Sequence, residues 1–189
     1  MKIPDLQPYA HSQPYAGSDE WFKNPFTVVD TKGSVWNVAT DRIWIVAVRG
    51  KGQYPRWPGN MAQLNVILSL IQSLPVEPRA VEASVLKQWA SSGNIGKIMG
   101  TILDLEKLGK VMNLFPEGPL QIWDANSVMR KDPCLGMGLH DVRAFLMGQI
   151  RVSTSNVFDT MKLTRPVEEK SESRPEWAGF DLVMSLDED

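Results

Sequence analysis

Few residues in this chain have the types and spacing that catalysis demands. Gly93-Asn94-Ile95-Gly96-Lys97-Ile98 has the glycines and lysine of a phosphate-cradling loop. That loop needs its first glycine further upstream and a serine or threonine where Ile98 stands, so the segment reads as a turn between a helix and a strand. His140-Asp141 resembles the doublet of metal phosphohydrolases, but His11 is the only other histidine. No Cys/His spacing fits zinc, and the doublet reads as turn chemistry. Asp30, Asp41, Asp104, Asp124 and Asp141 fall at the ends of expected strands. A dispersed acidic site in an enzyme of unfamiliar type would show itself as a deep pocket lined by several of them. Aspartate is also common at strand ends for turn geometry alone. No catalytic residue, metal ligand or cofactor is assigned, and the chain reads as a binder more than a catalyst.

Binding chemistry is better represented. Gly50 to Gly59 interleaves Lys51 and Arg56 with Tyr54 and Trp57. A loop of that kind can grip a nucleic-acid strand, or it is a solvated loop pinned by Trp57. Arg79, Lys87, Lys107 and Lys110 are basic positions on or beside two expected helices. Near the end of the chain, Trp177, Phe180, Leu182 and Met184 form an apolar run between acidic flanks. It reads either as an edge strand or as a linear motif for a partner protein, since aromatic anchors supply interface hot spots.

Composition bounds what these residues can belong to. Hydrophobic residues make up 43% of the 189, and charged residues 22%. That is ordinary for one globular domain able to bury a core without staples. The one cysteine, Cys134, excludes a disulfide scaffold and reads as a small buried hydrophobe. No apolar run is long enough to span a bilayer, and the proline-rich start does not look like a signal peptide. The expectation is a cytoplasmic protein with no membrane partner. Net charge is −2 overall. Residues 164–189 hold three basic and eight acidic residues, so the body is mildly basic and the tail acidic.

Three regions follow: an N-terminal arm over 1–20, a single α+β domain over 21–163, and an acidic tail over 164–189. The arm repeats Gln-Pro-Tyr-Ala and reads as a strap whose tyrosines pack on the domain, or as a peptide for a partner. Strands are expected at Phe26–Thr31, Val35–Thr40 and Ile43–Arg49, joined by turns at Asp30–Gly33 and Asp41-Arg42. Apolar spacing predicts a helix from Asn60 to Leu74, ended by Pro75 and devoid of charge. A second helix is expected over Ala80–Ser91, a strand over Lys97–Asp104 and a third helix over Leu105–Phe115. Strands at Leu120–Ala125, Leu135–Leu139 and Val142–Val152 complete the domain.

The pair Val35-Trp36-Asn37-Val38-Ala39-Thr40-Asp41 and Ile43-Trp44-Ile45-Val46-Ala47-Val48-Arg49 resembles a strand pair of bacterial DNA polymerase sliding clamps, with Ala39-Thr40-Asp41 the literal match. The order strand, helix, three strands across 97–152 is similar to that family's half-domain. The resemblance implies antiparallel sheets with two to three helices in half-domain repeats. It also implies a homo-oligomer around duplex DNA, serving as a processivity or replication accessory factor. Its DNA contacts would be Arg79, Lys87, Lys107 and Lys110, beside Lys51 and Arg56 as DNA-binding candidates on the loop. The chain is shorter than a clamp subunit, and its first helix lacks charge. An alternative is a phage-type interaction or inhibitor protein that binds a host protein through aromatic and tail contacts.

Overall fold

The computed structural model describes residues 2–10, 23–41, 43–57, 61–125, 133–149 and 153–167. They form an α+β protein. A seven-stranded sheet runs in the order β1 (Phe26–Val29), β2 (Val35–Thr40), β3 (Trp44–Arg49), β9 (Val142–Met147), β8 (Cys134–Leu139), β7 (Pro119–Asp124), β4 (Arg79–Glu82). Every neighbouring pair is antiparallel. A separate hairpin joins β5 (Ile95–Ile98) to β6 (Thr101–Asp104). The helices are α1 (Met61–Gln72), α2 (Ala83–Ala90) and α3 (Leu105–Met112).

Local chemistry sets the turns. Asp30 closes β1–β2 by accepting from the backbone N–H groups of Lys32 and Ser34, with Gly33 at φ 82°. Burial alone would raise the Asp30 carboxyl. Hydrogen bonds from the Trp36 indole and the two amides, with the Lys32 charge, carry it below the ordinary carboxylate value. Asp41 closes the β2–β3 turn, accepting from the backbone N–H groups of Ile43 and Trp44. Its role is an Asx-type turn that holds the strand entry. Asp104 caps α3 by accepting from the amides of Glu106 and Lys107, which supplies two of that helix's orphan donors.

Strand alternation gives the sheet two apolar faces. Phe26, Val28, Trp36, Val38, Ala47, Trp123 and Phe145 meet Ile67, Leu70 and Ile71 of α1 on one face. Val46, Val48, Leu120, Ile122, Leu135, Met137 and Ala144 meet α2, α3 and the N-terminal strap on the other. The strap, residues 2–10, buries Ile3, Leu6 and Tyr9. Gly136 lets Trp123 lie flat across β8, because a Cβ there would come within 2.4 Å of the indole.

Three expected elements differ, one of them the strand expected over Val142–Val152, which ends as β9 at Met147 with Gly148 and Gln149 outside it. The stretch expected to open the second helix is edge strand β4, paired to β7 through Val81↔Leu120. The single strand expected over 97–104 is a hairpin turning at Met99-Gly100, both with positive φ. Both outer strands of the large sheet are covered by a short pairing. Beyond β1, Thr27 donates to Pro55 and accepts from Trp57; beyond β4, Ala80 and Thr164 exchange two hydrogen bonds. Such covers blunt edge-to-edge association.

The meanders β1–β3 and β7–β9 meet antiparallel along β3 and β9, with Val46 opposite Ala144. A twofold normal to the sheet at that seam relates their strand order. The helices do not follow it, since α1 lies on one face and α2 with α3 on the other. A repeat of sheet-plus-helix halves is therefore not displayed. Among the described residues, no helix is long and apolar enough to cross a membrane.

Candidate functional site

The tightest gathering of basic and aromatic groups lies where the strap crosses from β3 to α3. Trp44 opens β3 and points to the α3 face, where it is 5% exposed. Its indole N–H donates to the Tyr9 carbonyl at 2.9 Å, and the Tyr9 hydroxyl donates to the Lys110 carbonyl at 3.0 Å. The two rings meet edge to face at 6.2 Å. Above them, the Lys107 ammonium sits 5.9 Å and the Lys110 ammonium 5.4 Å from the Trp44 centroid. Lys110 is also 5.8 Å from the Tyr9 ring.

A desolvated aromatic face attracts a cation, worth about 0.5–2 kcal/mol, and so holds the two ammonium groups on one spot despite their repulsion. Lys110 also lies in the last turn of α3, where the helix dipole favours positive charge. Among the described residues, neither lysine has a carboxylate partner. Both heads are therefore available to an external anion. Burial pushes the Tyr9 phenol above its ordinary value.

The six basic candidates do not form one patch. Lys87 is exposed on α2, which packs beside α3, and Arg79 is exposed on β4 just before α2. Arg56 is exposed at the far edge, bridged to Thr27 of β1, and Lys51 is exposed just after β3, its carbonyl held by Asn37 of β2. From β1 to β4 there are six strand spacings, about 29 Å. The candidates thus divide into an α2/α3-side group and a β1-edge group. The 50–57 loop is held by a polar hub. Buried Asn37 accepts from the Gln53 amide at 2.8 Å and donates to the Lys51 carbonyl at 3.1 Å. Thr27 Oγ1 donates to the Tyr54 carbonyl, and the Tyr54 hydroxyl accepts from the Leu6 amide. Trp57 packs on Phe26 at 4.6 Å. The described part of the loop is thus pinned to the sheet, with Lys51 and Arg56 exposed on it.

A second basic-aromatic group stands on the α1 face. Arg49 and Arg143 lie 5.7 and 5.5 Å from the Trp36 ring. Both are occupied. Arg49 pairs with Asp141 at 2.6 Å, and the Arg143 guanidinium donates to the Ile71 carbonyl at the C-terminal turn of α1. Burial, then the neighbouring Arg49, pulls the Arg143 guanidinium below its usual value.

The aspartates are spread among turns, a helix cap and the Arg49 pair, with Asp124 ending β7. Cys134 is fully buried, and burial followed by the charge of Asp124 pushes its thiol up to about 12. Trp177, Phe180, Leu182 and Met184 lie outside the described residues. Sequence reasoning reached both lysines. It missed their aromatic floor, although an arm tyrosine and a tryptophan at a strand start were the available signals.

The fold and this site define an α+β protein with a lysine pair seated on buried aromatics. No family model, no curated protein and no solved structure matches this chain.

Proposed function

We propose that the chain is a non-enzymatic binding protein that contacts the phosphate backbone of duplex DNA through its α2/α3 side, as a replication accessory factor would. The observation that supports this reading is the convergence of Lys107 and Lys110 on Trp44 without a carboxylate partner among the described residues. Two fixed ammonium groups suit phosphate oxygens, and Lys87 and Arg79 on adjoining elements extend the same side. Such contacts read charge and not sequence.

Binding should fall linearly with the logarithm of salt, with a slope of about −0.9 per phosphate contacted. The double variant Lys107→Ala/Lys110→Ala should flatten that slope by about 2 while leaving the folding stability within about 2 kcal/mol of the parent. Fluorescence anisotropy of a labelled duplex across a salt series measures the slope, and urea unfolding followed by circular dichroism measures the stability. No binding at low salt, or an unchanged slope in the double variant, overturns the reading. Mass measurement with and without the duplex tests the homo-oligomer implied by the clamp resemblance.

A further inference from the structure

We infer that the acidic segment 168–189 of this chain is a competing ligand for the Lys107/Lys110 site, occupying it when DNA is absent. The inference rests on the reading above for its DNA consequence, but not for the contact itself.

Charge favours this contact. The segment holds eight acidic residues (Glu168, Glu169, Glu172, Glu176, Asp181, Asp187, Glu188, Asp189) against Lys170 and Arg174. The α2/α3 side offers the opposite sign, with Lys87, Lys110 and Arg79 exposed, Lys107 half-buried beside them, and only Glu82 and Glu106 exposed among the acids of those elements. Position comes next. The described chain leaves the fold beside β4, where Thr164 is clamped to Ala80 by bonds of 2.7 and 2.9 Å. Upstream, Phe158 is 2% exposed against Trp89, so the departure point is anchored to the α2 side. From β4 to β3, which carries Trp44, there are four strand spacings, about 19 Å. The 22 residues from 168 to 189 can extend at most about 75 Å. The lysine pair is well within reach.

A tethered ligand acts at an effective concentration on the order of millimolar, so even weak carboxylate–ammonium contacts compete with a duplex at low ionic strength. Screening removes that competition as salt rises. The carboxylates and the phosphates would use the same two ammonium groups.

The test compares three proteins: the full chain, a chain stopped after Val167, and a full chain with the eight acids changed to Gln or Asn. Two readouts are taken. The first is affinity for a labelled duplex at about 50 and 300 mM salt, a range over which screening changes strongly. The second is the NMR shift of the Lys107 and Lys110 side-chain resonances without DNA. Stopping or neutralising the segment should tighten duplex binding about tenfold at the lower salt and less than about twofold at the higher. It should also move both lysine resonances, independently of protein concentration. If the duplex binds equally to all three proteins and the resonances stay put, this inference is overturned while the DNA reading stands. If none binds the duplex yet the resonances move, the DNA reading fails and the intramolecular contact survives. A shift that grows with protein concentration assigns the contact to a second copy and overturns the tethered form.

Discussion

Leu6→Ala tests whether the strap belongs to the core. Leu6 has no exposed surface, and its amide is fixed by the Tyr54 hydroxyl at 2.9 Å. Truncation removes three carbons, about 2.4 kcal/mol at about 0.8 per methylene. The residual cavity would take a rigid site toward about 3–5 kcal/mol. A strap on the outside of a sheet can settle inward, so about 2.5–3 kcal/mol is expected here. Urea unfolding followed by circular dichroism should show a lower midpoint with an unchanged slope. A second outcome is built into the geometry. If the strap's docking is worth less than the penalty, it lifts away locally and the loss stops at the docking energy. Amide exchange in Trp44–Val48 then rises well before global unfolding. A loss under about 0.5 kcal/mol with unchanged exchange in those residues would refute the packing argument.

Asn37→Ala leaves the Gln53 amide and the Lys51 carbonyl without their side-chain partner, at about 1–3 kcal/mol, and should make the 50–57 loop a preferred protease site. With its thiol pushed up to about 12, Cys134 should resist alkylation at pH 8 in the folded protein and react at once in denaturant; rapid native labelling would contradict the burial. Tyr9 has its folded value raised above 10.0, so the folded state holds that proton more tightly than the unfolded chain. Its contribution is complete below pH 10 and fades as pH climbs through the folded value. Tyr9→Phe should abolish that alkaline step in a pH series of melting temperatures, and an identical step in the variant would assign it elsewhere.

Local chemistry made much of the fold legible. The β2–β3 hairpin and α1 were readable because Asp41, alternating apolar residues and a helical stripe ended by Pro75 act within a few positions. Strand β4 was not, since Arg79-Ala80-Val81-Glu82 has no strand pattern of its own and is extended only because β7 pairs with it. Gly100 was a visible turn signal, hidden by the apolar residues on both sides. Asn37 carried a quieter clue. An amide between Val35 and Ala39 on one strand face must be satisfied if buried, and the loop beyond β3 is what satisfies it. The aromatic floor beneath Lys107 and Lys110 depends on residues 9, 44 and 110 meeting across the fold, which no local window contains.

The seam between β3 and β9 has a consequence for biosynthesis. Val46 finds its partner in Ala144, nearly a hundred positions later in translation. At about 5–20 residues per second, the first meander waits roughly 5–20 s on the ribosome with one flank unzipped. During that interval the open flank of β3 leaves a row of backbone N–H and C=O groups unpaired, the exposed-edge condition that a late-arriving strand must relieve.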